Sequence, residues 1–155
     1  MAYRSSLPTG AIGALSAGLP HRTQVAALCM RKKAGERQVL LITSRGTGRW
    51  VLPKGWPMKG LSNAKAAAQE AWEEAGVKRA KLTRRAIGRF TYDKQLDTGG
   101  HIPVRAEVFA LKVKKLSKTF PESHERRRKW VSPAKAAQMV QEPELKALLL
   151  SLDAN

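Results

Sequence analysis

The sequence has a single cysteine and no long apolar run. Cys29 excludes an internal disulfide, and because it lies in the apolar stretch 25–30 it is expected to be a small buried side chain. No apolar segment approaches the roughly 18 residues that a membrane-spanning helix needs, so no membrane partner is expected. A length of 155 residues with 43% apolar residues fits one soluble domain with its own core.

Acidic residues are also scarce. The chain has 12 Asp and Glu against 29 Lys and Arg, a formal net charge of +17. This charge exceeds what solubility requires of a small domain and predicts a polyanionic partner, such as a nucleotide, an inositol phosphate, nucleic acid or anionic lipid. The sequence lacks a Walker loop, a zinc-binding cysteine set and an RNA-stacking aromatic motif. The three histidines, His21, His101 and His124, have no metal-ligand spacing.

The N-terminal stretch differs in composition from the rest of the chain. The first acidic residue is Glu36, and residues 1–20 hold Pro, Gly and Ser without a clear period. We therefore expect a flexible tail over residues 1–20 and a single domain over residues 21–155. A stretch with Arg and Ser but no acid also loosely resembles an organelle transit peptide. A cytoplasmic location is favoured, with an N-terminal targeting segment left open.

Short apolar runs alternate with helical patterns along the chain. The runs predict strands at 24–30, 38–43, 50–52, 85–91, 104–113 and 129–131. Helices are predicted at 63–75, 133–141 and 143–152, the first capped by Ser62 or Asn63 and ended by Gly76. This mixture predicts the α/β class.

Three of the twelve acidic residues lie in one turn of the predicted 63–75 helix. Glu70, Glu73 and Glu74 stand at i, i+3 and i+4, so their carboxylates are expected to share a face. Like charges at this spacing cost roughly 0.2–0.5 kcal/mol per pair, and the negative end of the helix dipole adds to the cost. Hard oxygen ligands suit Mg²⁺ or Mn²⁺. Two interpretations stay open here: a divalent-metal site, or a solvated acidic face docked on the basic remainder of the protein.

The surroundings of this turn resemble the Nudix box, whose pattern is Gly, five residues, Glu, seven residues, Arg-Glu, an apolar residue, any residue, Glu-Glu, any residue, Gly and an apolar residue. The positions in register are Gly55, Glu70, Ala71, Glu73, Glu74, Gly76 and Val77. Two positions depart: the family's first Glu is Leu61 here, and its Arg, which orients the glutamates, is Gln69. The metal cluster is thus retained while its support differs.

Other segments resemble the branch of the Nudix family that hydrolyses diphosphoinositol polyphosphates and diadenosine polyphosphates. These segments are 51–55, 90–92, 120–122, 128–131 and 143–145. The resemblance extends loosely over about residues 24–152. It implies an α/β/α sandwich around a mixed β-sheet.

The resemblance also implies a set of site residues. Glu70 and Glu74 would be the best ligands for Mg²⁺ or Mn²⁺, with Glu73 close behind and the Gly55 carbonyl completing part of one coordination sphere. The general base would be a glutamate of the box or a loop acid, Glu122 or Glu125. By position, the cations expected to bind substrate phosphates are Arg22, Arg31, Arg45, Arg49, Lys54, Arg126 and Arg128.

The implied function is divalent-metal-dependent hydrolysis of a phosphoanhydride bond in a small polyphosphorylated substrate. An inositol pyrophosphate, a dinucleoside polyphosphate and another nucleoside diphosphate derivative all fit. One alternative is removal of pyrophosphate from RNA 5′ ends, which leaves nucleic acid open as a partner but not favoured. Another is a degenerate, non-catalytic polyanion-binding module. Leu61 and Gln69 argue mildly for that module, whereas the three retained glutamates argue against it. Monomer and dimer are both left open.

Overall fold

Eight strands form one mixed sheet in the computed structural model, which describes residues 22–154. The strands are β1 (Arg22–Lys33), β2 (Glu36–Thr43), β3 (Trp50–Val51), β4 (Lys54–Gly55), β5 (Val77–Leu82), β6 (Gly88–Gln95), β7 (His101–Leu116) and β8 (Arg128–Val131). The helices are α1 (Asn63–Ala75), α2 (Pro133–Met139) and α3 (Pro143–Ser151), followed by a short 3₁₀ turn (Leu152–Ala154). None of the helices in this described range has the length and apolar composition of a membrane-spanning segment. The predicted tail at residues 1–20 lies outside them.

The parallel pair β1–β7 lies at the centre of the sheet. β2 extends the sheet beyond β1 and carries β3 and β8, while β6 and β5 pair with successive halves of β7. Helix α1 packs on one face of the sheet, and α2 and α3 pack on the other. The predicted α/β/α sandwich around a mixed sheet is therefore confirmed.

Strand β1 is buried on both of its faces because helices cover both sides of the sheet. Residues Val25 to Cys29 are fully inaccessible to solvent, which explains why this segment is continuously apolar rather than alternating. Burial raises the pKa of the Cys29 thiol to about 12, so it stays protonated and unreactive. The expected buried role of Cys29 is confirmed.

Two strands were not predicted, and one was misplaced. Strand β5 carries Lys78, Arg79 and Lys81 and has register shifts on either side of Arg79, so its apolar residues do not alternate regularly. Strand β4 has only two residues and forms through pairing with β1. The strand predicted at 85–91 is β6, at Gly88–Gln95, and β7 runs beyond the predicted segment at both ends.

Helix α1 begins and ends as predicted. The Ser62 side chain accepts from the Lys65 N–H (3.2 Å), and Gly76 adopts a left-handed conformation with φ of 73°. Beyond the helix, Arg128 Nη1 donates to the Ala75 carbonyl (2.7 Å). The N–H of Glu122 donates to the Glu73 carbonyl (3.0 Å). The β7–β8 loop is thereby fixed to the end of α1, which brings Glu122 next to the acidic turn.

Gly76→Ala is expected to destabilise the fold by more than the backbone conformation alone requires. A left-handed non-glycine residue costs about 1–2 kcal/mol, and a β-carbon here would also lie 2.5 Å from a Phe120 ring carbon. Gly60→Ala is the matched control, because Gly60 has φ of 85° but nothing within 4 Å of the added carbon. Urea denaturation should show the larger loss of unfolding free energy for Gly76→Ala. Equal losses would show that Phe120 moves aside without cost.

Candidate active site

The carboxylates of Glu70 and Glu74 meet the loop that contains β4. The two residues lie one turn apart on α1 and are both buried. The Lys54 N–H donates to Glu74 Oε1 (3.2 Å), and a β-carbon at position 55 would overlap the Glu70 carboxyl group. Glycine is required at position 55 for this close approach rather than for an unusual backbone angle.

This carboxylate pair is electrostatically costly in the absence of a cation. Burial, followed by the charges of Glu74 and Glu73, raises the pKa of Glu70 to about 8. Burial also raises the pKa of Glu74, although Arg126 opposes that shift. Two buried carboxylates that resist simultaneous ionisation are suited to hold a proton or a cation between them.

Glu73 lies apart from this pair. The side-chain nitrogen Nε2 of Gln69 donates to Glu73 Oε2 (2.8 Å), and Glu73 is not in the cavity that Glu70 and Glu74 line. The pairs 69/73 and 70/74 are adjacent i,i+4 rows, separated by about 100° around the helix. The acidic turn therefore divides into a buried pair and a side chain bound by Gln69.

A buried arginine joins the glutamates to the β7–β8 loop. Arg126 donates through Nε to Glu122 (2.8 Å) and through Nη1 to the Thr43 carbonyl (3.0 Å), and its Nη2 lies 3.5 Å from Glu74 Oε2. Within residues 22–154 no three Asp, Glu, His or Cys side chains lie close enough to hold a metal ion on their own. Arg126 stands between Glu122 and Glu74, and Gln69 holds Glu73, which accounts for this arrangement.

The glutamates form part of the lining of a cavity of about 360 Å³. Four lysine or arginine side chains also line this cavity. The lining residues are Gln24, Ser44, Arg45, Val51, Lys54, Gly55, Trp56, Glu70, Glu74, Tyr92, Lys94, Glu122 and Arg126. Arg45 and Arg126 also line a second, adjoining surface cavity of about 620 Å³. A cavity with acidic and basic walls suits a metal-bound polyphosphate.

Three of the predicted phosphate-binding cations, Arg45, Lys54 and Arg126, line this cavity. Arg45 lies 3.8 Å from Glu122 and 3.2 Å from Glu125, with 59% of its side chain exposed. Burial lowers the pKa of the Lys54 amine to about 8, and the charge of Glu74 opposes that shift. These residues provide an exposed positive charge, on Arg45, and a half-buried one, on Lys54.

Two further predicted cations lie next to the cavity. Arg22 stacks over Trp56, 4.9 Å from its ring centroid, and Trp56 lines the cavity. Arg49 donates to Glu142 Oε2 (3.0 Å), and both charges act on Lys54. These two arginines therefore contact or electrostatically influence residues that line the cavity: Arg22 contacts Trp56, and the charge of Arg49 acts on Lys54.

The structure does not bring Arg31 and Arg128 to the cavity. Arg31 lies near the opposite end of β1, where it donates to Gln38 (2.8 Å) and stacks over Trp130. Arg128 is bound to the Ala75 carbonyl and stacks over Phe120. Arg31 is far from the site because β1 runs away from the cavity over the six residues after Val25. Arg128 is engaged instead in a hydrogen bond to the last residue of α1.

Several cavity residues were not predicted from the sequence. Tyr92 donates its hydroxyl to Gln24, and Lys54 Nζ lies 5.1 Å from the Tyr92 ring centroid. Gln24 carries a weak sequence signal, as a polar residue at the start of the apolar run predicted as a strand at 24–30. Behind this wall Glu142 is buried, and its Oε1 has no hydrogen-bond partner among the described residues. Gln24, Lys54 and Tyr92, with Glu142 behind them, form one wall of the cavity because β1, β4, β6 and the start of α3 lie close together. No local sequence pattern predicts this wall.

A family model described as the NUDIX domain matches residues 20–150. The chain belongs to the Nudix family. Arabidopsis thaliana "Nudix hydrolase 21, chloroplastic" is 35% identical over 108 residues, 69% of this chain and 52% of that protein, so the match spans about half the relative's length. Mouse "Diphosphoinositol polyphosphate phosphohydrolase 3-alpha" is 32% identical over 122 residues, 77% of this chain and 70% of that protein. The fold matches a Caenorhabditis elegans Ap4A hydrolase at a TM-score of 0.62 and 22% identity, over 87% of this chain and 98% of that one.

The two departures from the Nudix box occur at neighbouring positions in this Nudix domain. Leu61 and Gln69 line the same groove beside α1, together with Trp72. The acid and the arginine of the box pattern are therefore both replaced by uncharged side chains, and neither leaves an unpaired charge behind. Gln69 still binds a glutamate of the turn, Glu73.

Proposed function

We propose that this Nudix hydrolase cleaves a phosphoanhydride bond in a small polyphosphorylated substrate, with a divalent metal ion held by Glu70, Glu74 and the Gly55 carbonyl. The observation that carries the proposal is the buried carboxylate pair within a cationic cavity. A solvated acidic face would not bury two like charges on one side of the helix.

The residues fit a hard divalent ion. Nudix hydrolases generally use divalent metal ions, and Mg²⁺ usually takes one or two protein carboxylates together with substrate phosphates. Glu70 and Glu74 provide those two carboxylates, and their oxygens suit Mg²⁺ or Mn²⁺ equally. When bound, the ion would offset phosphate charge and supply an activated water.

The surrounding side chains would position the substrate and move a proton. Arg45, Lys54 and Arg126 line the cavity and would hold the phosphates, the arginines as bidentate donors. Glu122 is favoured over Glu125 as general base. It lines the cavity with Glu74, whereas Glu125 lines the adjoining cavity and is 48% exposed. Glu73 would support the turn through Gln69.

We favour an elongated substrate, an inositol pyrophosphate or a dinucleoside polyphosphate. Arg45 and Arg126 are common to both cavities, so an anion that extends out of the first would reach the second. The named activities of the mouse relative and of the nematode fold neighbour agree with this choice. RNA 5′ ends remain the alternative substrate. The retained and buried carboxylates of Glu70 and Glu74 argue against the alternative of a non-catalytic module.

Phosphate release across a substrate panel tests this proposal. The panel contains inositol pyrophosphates, diadenosine polyphosphates, nucleoside triphosphates, nucleotide sugars and 5′-triphosphorylated RNA, each with Mg²⁺ or Mn²⁺ and each with wild-type and Glu74→Gln protein. Metal-dependent turnover that the variant loses would support hydrolysis and identify the substrate. Tight binding of the same polyanions with no turnover would leave a binding module instead.

Metal binding by the wild-type protein should release protons below about pH 8. Without a cation the Glu70 carboxyl has its pKa raised from 4.5 to about 8, so at neutral pH it carries a proton that the ion must displace. The apparent affinity for Mg²⁺ should rise up to about tenfold per pH unit and level off above about pH 8. Calorimetric titration in two buffers of different ionisation enthalpy measures the released protons.

The same pKa shift affects folding. Between pH 4.5 and about 8 the folded metal-free protein keeps a proton on Glu70 that the unfolded chain has lost. The contribution of this group to stability is therefore lost as the pH rises through that window. Glu70→Gln should remove this component of the pH dependence. Metal binding without proton release at pH 7 would contradict both expectations.

A further inference from the structure

A second cationic cleft lies near the other end of β1, away from the carboxylate pair. The parallel pairing of β1 with β7 ends at Met30 and Lys112, after which β1 continues beside β2 and β7 continues beside β5. The divergence opens a cleft of about 430 Å³, lined by Met30, Arg31, Lys32, Arg37, Lys112 and Val113. Gly55 pairs with Val25, six residues before Arg31. The cleft is thus about 20 Å from the proposed active site.

The cations of this cleft continue in a row across four strands. Lys32 lies directly opposite Arg37 in the β1–β2 pair, and Lys112 lies directly opposite Lys81 in the β5–β7 pair. Register places all four side chains on the same sheet face, over about 15 Å at the usual strand spacing. Like charges directly opposite one another destabilise a sheet.

These cations are little neutralised within residues 22–154. The side chains of Lys32, Lys81 and Lys112 have no ion pair or hydrogen bond there, and the Arg37 side chain donates only to the Leu152 carbonyl (2.9 Å). Among the residues that the structure describes, no acidic side chain lines the cleft. The nearest acid on these strands, Glu36, lies opposite Lys33 at the end of the hairpin. The uncompensated charge fits an anionic partner.

We propose that this cleft binds the phosphate backbone of single-stranded nucleic acid. The row of cations is longer than one small anion requires, and it suits the repeated charges of a polynucleotide. Half-buried Met30, on the same sheet face as these cations, supplies apolar surface next to the charges, as in grooves that follow a single strand. In the described part of the chain, no exposed large apolar side chain lines the cleft to insert into a lipid surface.

Fluorescence anisotropy with a labelled single-stranded RNA of about 16 nucleotides tests this proposal. Wild-type protein and Lys32→Gln/Lys112→Gln are compared between about 50 and 200 mM salt. Losing two phosphate contacts should weaken binding at least about tenfold at low salt and reduce the slope of log affinity against log salt by about 1.4. Lys118→Gln/Lys135→Gln is the matched control. Both lysines are exposed and lie outside the cleft, and replacing them removes the same net charge.

The outcomes separate this proposal from its alternatives. A loss confined to the cleft variant supports it, and that result does not depend on whether any polyphosphate is hydrolysed. Absence of RNA binding, or equal losses in both double variants, overturns it. Binding of the same variants to vesicles of phosphatidylserine and phosphatidylcholine tests a lipid surface as the alternative partner. Vesicle binding that depends on Lys32 and Lys112 while RNA binding does not would assign the cleft to lipid.

Discussion

Glu70→Gln is expected to lower kcat on the substrate identified by the panel by at least about 10²-fold, the scale for loss of one preorganised charged group. The amide keeps the size of the side chain but removes one of the two charges available to a divalent ion. The same change removes a carboxylate whose burial, together with repulsion from Glu74 and Glu73, raises the pKa of Glu70 in the absence of metal. The variant should therefore be at least as stable as wild type near pH 8, which separates loss of activity from loss of fold.

Glu73→Gln is the matched control for that experiment. It makes the same substitution in the same turn, at a side chain that Gln69 holds outside the cavity. We expect less than about a tenfold fall in kcat, since a neutral pair of amides can keep a hydrogen bond. Steady-state kinetics at several Mg²⁺ concentrations measure both variants. Equal losses would show that Glu73 turns into the site when metal and substrate are bound.

The acidic helix could be predicted closely because its determinants are local. The Ser62 cap, the alanine pattern and the left-handed Gly76 specify where α1 begins and ends. Periodicity also indicated that the glutamates lie close together. It did not indicate that Gln69 binds Glu73, because a choice between neighbouring i,i+4 partners depends on which row the rest of the fold buries.

Residues supplied by other elements were predicted less well. Glu122 reaches the site because its backbone N–H binds the end of α1, a contact between residues 49 positions apart. Arg31 and Arg45 are both arginines near the end of a strand, yet Arg45 lines the cavity and Arg31 lies in the distant cleft. Charge and approximate position along the chain do not specify which end of a sheet a residue occupies.

The cavity wall formed by Lys54 and Tyr92, with Glu142 behind them, was not predicted because it too depends on contacts between distant elements. Burial of the Lys54 amine, the Tyr92 ring and the Glu142 carboxylate arises where β4, β6 and the start of α3 converge. The Arg49–Glu142 ion pair, which offsets one of these charges, is a tertiary property, since Arg49 precedes Glu142 by 93 positions. Such groups tune the charge that a phosphate would meet in the cavity.

Gly55→Ala should abolish most activity while leaving the fold nearly intact. The added β-carbon would overlap the Glu70 carboxyl group, which is the end of a flexible side chain and can move aside at little cost in stability. The Glu70 carboxyl group would then leave its place next to Glu74, where the proposed metal site requires it. A displacement of about 1 Å at a reacting centre costs about 10²-fold in rate, so a loss of kcat of that size is expected.

Gly46→Ala, in the β2–β3 loop, is the control for adding a methyl group to a loop glycine. Nothing lies within 4 Å of a β-carbon there, and the residue has no left-handed φ. Thermal unfolding of both variants without metal should agree with wild type within a few degrees, whereas Mg²⁺ should raise the melting temperature of Gly46→Ala and not that of Gly55→Ala. Full metal stabilisation of Gly55→Ala would mean that the ion does not need Glu70 in its present position, and the ligand set proposed for this Nudix hydrolase would have to change.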